Sequence, residues 1–323
     1  MSWYSIAFLF IFFCFLLSWL SSHLIKSLVQ ITKYLRWREF IIAFFVIAFA
    51  GSLPNLFVDL NAALQNKPQL ALGDIIGGNL VDLTFVLAIA VFFSKKGLSA
   101  ESEMVQKSAL FTAIIAIVPL FLLLDGRLDR LDGLVLISGF IFYSSWLFLK
   151  KERFKKIYKS NGENPIGDFK SFLMNLAKVV ILLLLLLAVS QAVIFSAQFF
   201  SQKLSISLSL VGILIIGLGN SFPEIYFSII SARKEENWMV LGNLMGSVII
   251  CSTLVLGAIA LIAPFEVKDF SPFLIARIFL IVAALLSIIF IRTGRKITKK
   301  EGFIMLFVYI LFLLVEIFTQ QLL

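Results

Sequence analysis

The stretch AGSLPNLFVDLNAALQNKPQLALGDIIGGNLVDLTFVLA, from Ala50 to Ala88, returns as GNSFPEIYFSIISARKEENWMVLGNLMGSVIICSTLVLG, from Gly219 to Gly257. The two copies align without a gap. Pro54 matches Pro223, Gly73 matches Gly242, Gly77 matches Gly246 and Thr84 matches Thr253, each pair being 169 residues apart. Each copy sets proline, glycine and carboxylates into segments otherwise apolar enough to lie in lipid. Breaks and charges are costly there unless they line a protein-enclosed site, so the repeat is where function should be sought.

Working outward, 60% of the residues are hydrophobic, 15% are charged and the mean hydropathy is +1.02. Soluble chains carry roughly 45–50% apolar and about 25% charged residues, so this is an integral membrane protein. Apolar runs long enough to cross roughly 30 Å of hydrocarbon as helices begin near Trp3, Phe40, Gln69, Ser108, Leu131, Ser171, Ser205, Trp238, Phe270 and Gly302. The expected fold is therefore all-α, with ten transmembrane helices. The first run has no basic residue before it and no small-residue cleavage site, which favours a transmembrane helix over a secretory signal.

The basic, polar segment 150–170 separates a first half, residues 1–149, from a second half, residues 171–323. Five spans per half is an odd number, so the second half enters the membrane from the opposite side. That makes an inverted repeat, which places a substrate site near the midplane where broken helices from both halves meet. Alternate connections gather Lys26, Lys33, Arg36, Arg38, Lys95, Lys96, the Lys150–Lys159 run and the Arg292–Lys300 cluster on one side. The other side holds Lys67, Arg127, Arg130, Lys203 and Lys268. The positive-inside rule then puts the first set in the cytoplasm and both termini outside, in a multi-pass protein of the cell membrane. The net charge of +9 follows from this asymmetry and suits anionic lipid rather than nucleic acid. Cys14 and Cys251 fall in separate spans and make no disulfide framework.

Pro54 and Pro223 each remove a backbone donor and clash with the preceding turn, so each helix should be kinked or unwound just before them. Ser52 and Ser221 stand two residues earlier, and Asn55 and Glu224 directly follow the prolines. Gly73 and Gly77, with Gly242 and Gly246, should let the third and eighth helices approach their neighbours closely. Five residues beyond Gly77 is Asp82, and the matching place is Cys251. Carboxylate, amide, hydroxyl and carbonyl oxygens of this kind suit a hard cation such as Ca2+ or Na+.

These stretches resemble the alpha repeats of the sodium/calcium exchanger superfamily, in which a GTSxPE-like motif precedes a GN/GD-xx-GS-N-like motif once in each half. Here the first half reads AGSLPN and GDIIGGNLVD, and the second reads GNSFPE and GNLMGSVIIC. The resemblance implies a central cation site framed by four side chains, at Asn55, Glu224, Asp82 and Cys251. It also implies hydroxyl and carbonyl ligands at Ser52, Ser221, Ser247 and Asn220, backbone oxygens around Ala48 and Gly217, and a sliding of the first and sixth helices that alternates access.

The departures from the family pattern bear on the chemistry. Asn55 stands where a carboxylate is common, Gly51 where a hydroxyl is common, Gly78 replaces the usual serine, and Cys251 replaces an Asp or Asn. Only Asp82 and Glu224 remain as carboxylates of the framework, and a thiol is a poor partner for a hard cation. Two further acids complicate the count. Asp59 lies one helical turn after Asn55 on the same face and either restores the missing charge or lines a water-filled pathway; its counterpart is Ser228. Asp74, matched by Asn243, stands near the start of the third helix, where capping and hydrogen bonding is the plainer reading.

The function expected is a secondary antiporter exchanging Ca2+ for Na+, with no cofactor beyond the transported ions and no enzymatic activity. Its partners are small cations and the bilayer. A cation/proton antiporter on the same scaffold is the alternative, because metal and proton compete for a carboxylate. Two remoter readings are a member that has lost transport and an intramembrane aspartyl protease built on Asp59 and Asp74. The repeat already accounts for the LGD segment that suggests the protease, since LGN stands at the same place in the second copy.

Overall fold

The computed structural model describes residues 3–34, 49, 51–149, 169–267 and 271–322. The expected second span lies mostly outside these residues, as do Ala48 and nearly all of the basic segment 150–170. Ten helical bodies are described: α1 (Trp3–Tyr34), α2 (Leu53–Leu64), α3 (Pro68–Phe93), α4 (Glu103–Leu122), α5 (Arg130–Leu149), α6 (Phe169–Leu204), α7 (Leu208–Arg233), α8 (Asn237–Ile262), α9 (Ser271–Arg292) and α10 (Lys299–Leu322). Among the described residues, eight of them, all but α2 and α5, are long and apolar enough to cross a membrane.

Burial separates central from peripheral helices. The apolar windows of α3 and α8 are buried over 83% and 78% of their residues, against 33% for α9 and α10. The two repeated stretches thus form the middle of the protein. α1 and α6, of 32 and 36 residues, pack along one another. The inner face of α1 reads Ile6, Phe10, Cys14, Leu17 and Leu24, a spacing of three and four that a helix turns into one stripe. Phe8, Phe12, Phe15 and Trp19 on its other faces remain exposed, as do Leu184, Leu185 and Leu187 of α6. In a bilayer those side chains meet lipid, where exposure costs nothing.

Glycine decides how closely α3 meets α7. A Cβ at Gly217 would stand 2.6 Å from the Gly78 nitrogen, and one at Gly77 would collide with the Ile213 backbone. Gly73 and Gly212 are pressed together in the same way. The close approach expected of Gly73 and Gly77 is found, and its partners are the glycines of α7.

Two short antiparallel ribbons complete the fold, a small addition to the all-helical expectation. β1 (Leu98–Ser99) pairs with β4 (Lys296–Ile297), and β2 (Arg127–Leu128) pairs with β3 (Phe265–Glu266). Each ribbon joins a connection from before residue 150 to one from after residue 170. Helix contacts show the same reciprocity: α5 packs on α8 as α10 packs on α3, and α4 packs on α8 as α9 packs on α3.

Candidate cation site

Both prolines sit in the first turn of a restarted helix. α2 begins at Leu53 after a turn at Ser52, and the second part of α7 begins at Phe222 after a turn at Ser221. The missing proline N–H is harmless at that position, whereas one turn further in it would break the helix. The breaks therefore fall where the sequence puts them. Their effect is to hold Asn55 and Glu224 at the inner end of a new helix, both buried.

A second irregularity was not foreseen. α3 opens into a π-helical turn at Asp82–Val86, and α8 does so at Cys251–Val255, 169 residues later. In each, a threonine donates back to a carbonyl one turn earlier: Thr84 to Leu80 and Thr253 to Ile249, both at 2.5 Å. Single π-turns within α-helices concentrate at functional sites. These two begin at the residues that face the broken helices.

The four framework side chains come together as two unlike edges. On one edge the Asn55 amide donates to the Cys251 sulfur at 3.4 Å, so the contact is neutral. On the other, Glu224 and Asp82 are charged neighbours. Ser247 donates to Glu224 Oε1 at 3.4 Å, and the hydroxyls of Ser221 and Ser247 face Asp82. Ser221 also donates to the Gly217 carbonyl at 2.8 Å, which places that backbone oxygen beside the site. Ser52 is buried at the matching break. A cavity of about 10 Å³, bounded by Asp82, Thr112, Ser287 and the apolar side chains around them, adjoins this edge.

Asp59 and Asp74 meet on the far side of Asn55, a contact the sequence reading missed. Asp74 lies in the second turn of α3, caps nothing, and accepts a 2.5 Å hydrogen bond from the Asn220 amide. The capping expectation is corrected: the N-cap position is Lys67, and the helix runs through Asp74. A signal for the contact was present. α2 and α3 form a hairpin turning at Gln65–Lys67, and residues 59 and 74 lie at equal distances from that turn on inward faces.

Asn55 Oδ1, both Asp59 oxygens, Asp74 Oδ1, Asp82 Oδ1, Asn220 Oδ1, Glu224 Oε2 and Ser228 Oγ have no hydrogen-bond partner among the described residues. Nor do the four carboxyls form an ion pair with any described basic residue; Lys107–Glu103 and Arg127–Asp125 pair at the surface instead. Acceptor-only oxygens gathered in a membrane interior are expensive unless something positive meets them. No three His, Cys, Asp or Glu side chains of the described residues cluster as a metal site by themselves, so a cation here draws on amide and hydroxyl oxygens too.

One charged residue outside the repeat departs from expectation. Glu316 of α10, placed near a span end where its carboxyl would reach water, is instead buried, because α10 packs that face onto α3. Arg277 donates to the Leu120 carbonyl at 2.8 Å.

Comparison with known proteins agrees with this architecture. The family model described as "Sodium/calcium exchanger protein" matches twice, over residues 5–149 and 174–318. The sodium/calcium exchanger MaX1 of Methanosarcina acetivorans is 24% identical over 91% of this chain and 93% of its own. The inner membrane protein YrbG of Escherichia coli is 26% identical over 74% and 76%. A structure of the sodium-calcium exchanger NCX_Mj soaked with 10 mM Na+ and 10 mM Sr2+ matches with a TM-score of 0.65 at 23% identity, covering 94% of this chain and 95% of that one. That last likeness is one of fold.

Proposed function

Because the chain belongs to the sodium/calcium exchanger family, we propose that it is a secondary antiporter that moves Ca2+ against Na+ by alternating access. The family is one of transporters rather than enzymes. The observation that carries the reading is the set of buried oxygens contributed by both copies of the repeat, with no described basic residue to neutralise them. In this reading Glu224 and Asp82 are the anionic ligands, Ser221, Ser247 and the Gly217 carbonyl surround them, and Asn55, Ser52 and Asn220 supply further oxygens. Cys251 packs against Asn55 and contributes little to a hard cation.

Exchange follows if the two ions compete for overlapping ligands. An empty site would carry uncompensated carboxylates through the apolar stage of any movement, which is costly in lipid. Only loaded states then switch, and the gradient of one ion drives the other. The long pair α1 and α6 is the element proposed to slide over the central helices.

The proposed architecture is ten spans in two inverted halves, 1–149 and 171–323, joined by a cytoplasmic segment 150–170, with both termini outside a plasma membrane. Three observations support it: the constant spacing of 169 residues, the family model matching once in each half, and the reciprocal ribbon and helix pairings.

The test is Ca2+ uptake into proteoliposomes loaded with Na+ and diluted into Na+-free buffer, with an imposed pH gradient as a parallel arm. Uptake that requires internal Na+ is expected. Uptake driven by the pH gradient alone would replace Na+ with a proton, a reading favoured by the uncharged Asn55–Cys251 edge. Silence in both arms would contradict the proposed exchange.

A further inference from the structure

Asp59 and Asp74 are spare to the exchange site as the family pattern defines it, yet both are fully buried and their side chains touch across the α2–α3 hairpin. We infer that they form, with Asn220, a second site for a small hard cation, set apart from the Glu224–Asp82 edge. This rests on the exchanger reading only in taking buried oxygens as cation ligands.

The geometry supplies a ligand set. Asp59 offers two oxygens, Asp74 one and Asn220 one, and none has a partner among the described residues. Asn220 is aimed into the pair, because its amide nitrogen lies 2.5 Å from Asp74 Oδ2 and its own Oδ1 is left unbonded. It is 2% exposed, so bulk water does not satisfy that oxygen. An unpaired carboxylate or amide oxygen at such depth carries a desolvation cost, and a cation offsets it for all three residues at once. Carboxylate and amide oxygens without sulfur or imidazole select hard ions such as Na+ or Ca2+.

Separation from the first site follows from helix geometry. Asp59 is four residues beyond Asn55, about 6 Å along α2 at 1.5 Å per residue. Asp74 is eight residues before Asp82, about 12 Å along α3. Because the two helices run antiparallel, both displacements point the same way.

The second copy of the repeat has Ser228 and Asn243 at these places. Those residues fold in the same local structure without the two charges, so Asp59→Ser and Asp74→Asn are conservative probes. Full-length protein in detergent would be equilibrated with radioactive Na+ or Ca2+, and bound cation per chain counted for wild type, each single variant, the double variant and Glu224→Gln. The double variant is expected to bind one cation fewer than wild type while keeping the one that Glu224→Gln removes. The arm in which the difference appears identifies the ion. Should the double variant not stay monodisperse, Asp74→Asn alone is expected to weaken that site about tenfold or more.

Unchanged stoichiometry and affinity in the folded variants would overturn the second site. Loss of every bound cation in the double variant would also overturn it, by merging the two acids with the first site. The count is independent of transport: a chain that binds but shows no gradient-driven flux would defeat the exchanger reading and leave this one standing.

Discussion

Asn55 and Glu224 occupy the same place in the two copies of the repeat, yet one ends against a thiol and the other beside a carboxyl. Around them the scaffold is conserved between copies. Each has a turn two residues before proline, a π-turn beginning 27 residues after the residue that follows proline, and a threonine bonded one turn back. Even the left-handed residue between the paired helices recurs, as Asn66 at φ 59° and Glu235 at φ 60°. The chemistry is divided differently: the first copy carries Asp59, Asp74 and Asp82, and the second only Glu224. The comparison shows that backbone breaks and close packing are what both halves need to build a cavity. The charges inside are free to collect on one edge.

The change with the largest expected effect removes the sole carboxyl of the second copy's share. Glu224→Gln should cut Na+-dependent Ca2+ flux in proteoliposomes by about 100-fold or more, since a unit charge about 4 Å from an ion is worth several kcal/mol in a partly buried setting. The protein should remain folded by size-exclusion chromatography. Near-normal flux would remove Glu224 from the site.

Next comes a test of the shared scaffold. Gly77→Ala places a methyl group against the Ile213 backbone, and overpacking of this kind costs about 1–3 kcal/mol. Thermal unfolding in detergent should shift down accordingly. An unchanged midpoint would show that α3 and α7 have room to separate.

Making the copies alike is expected to help. Cys251→Asp puts a carboxylate beside the Asn55 amide, which already donates at that place, and equilibrium binding of Ca2+ should tighten about tenfold. Weaker binding would mean that the neutral edge is required.

The smallest effect concerns a bond found on one side only. Asn79 donates to Ser252 at 2.7 Å, tying α3 to α8, while their counterparts Val248 and Leu83 cannot bond in this way. Ser252→Ala should cost about 1 kcal/mol of stability, read from denaturation in detergent, and leave flux unchanged.

Much of this was legible in the sequence because lipid leaves few options. Proline marked both helix restarts, Gly73 and Gly77 marked the close approach, and apolar runs marked the spans. What was not legible depended on partners. Gly212 and Gly217 sit in a run that reads as plain apolar helix, and only the crossing with α3 gives them a purpose. The π-turns have no signature within LVDLTFVLA or IICSTLVLG, since an extra residue per turn changes no residue type. Asp74 was taken for a cap because its distance from Pro68 was judged without the α2–α3 register, which sets it opposite Asp59. Glu316 was placed in water because nothing in α10 alone says that α3 covers it.

The measurement that tests the central claim most directly is an anomalous difference map from crystals of this protein soaked in Sr2+, an electron-rich substitute for Ca2+. A peak bounded by Glu224, Asp82 and Ser247, and reduced when Na+ is raised, is the predicted result. A peak at the Asn55–Cys251 edge instead, or none near Glu224 under conditions that support transport, would contradict it.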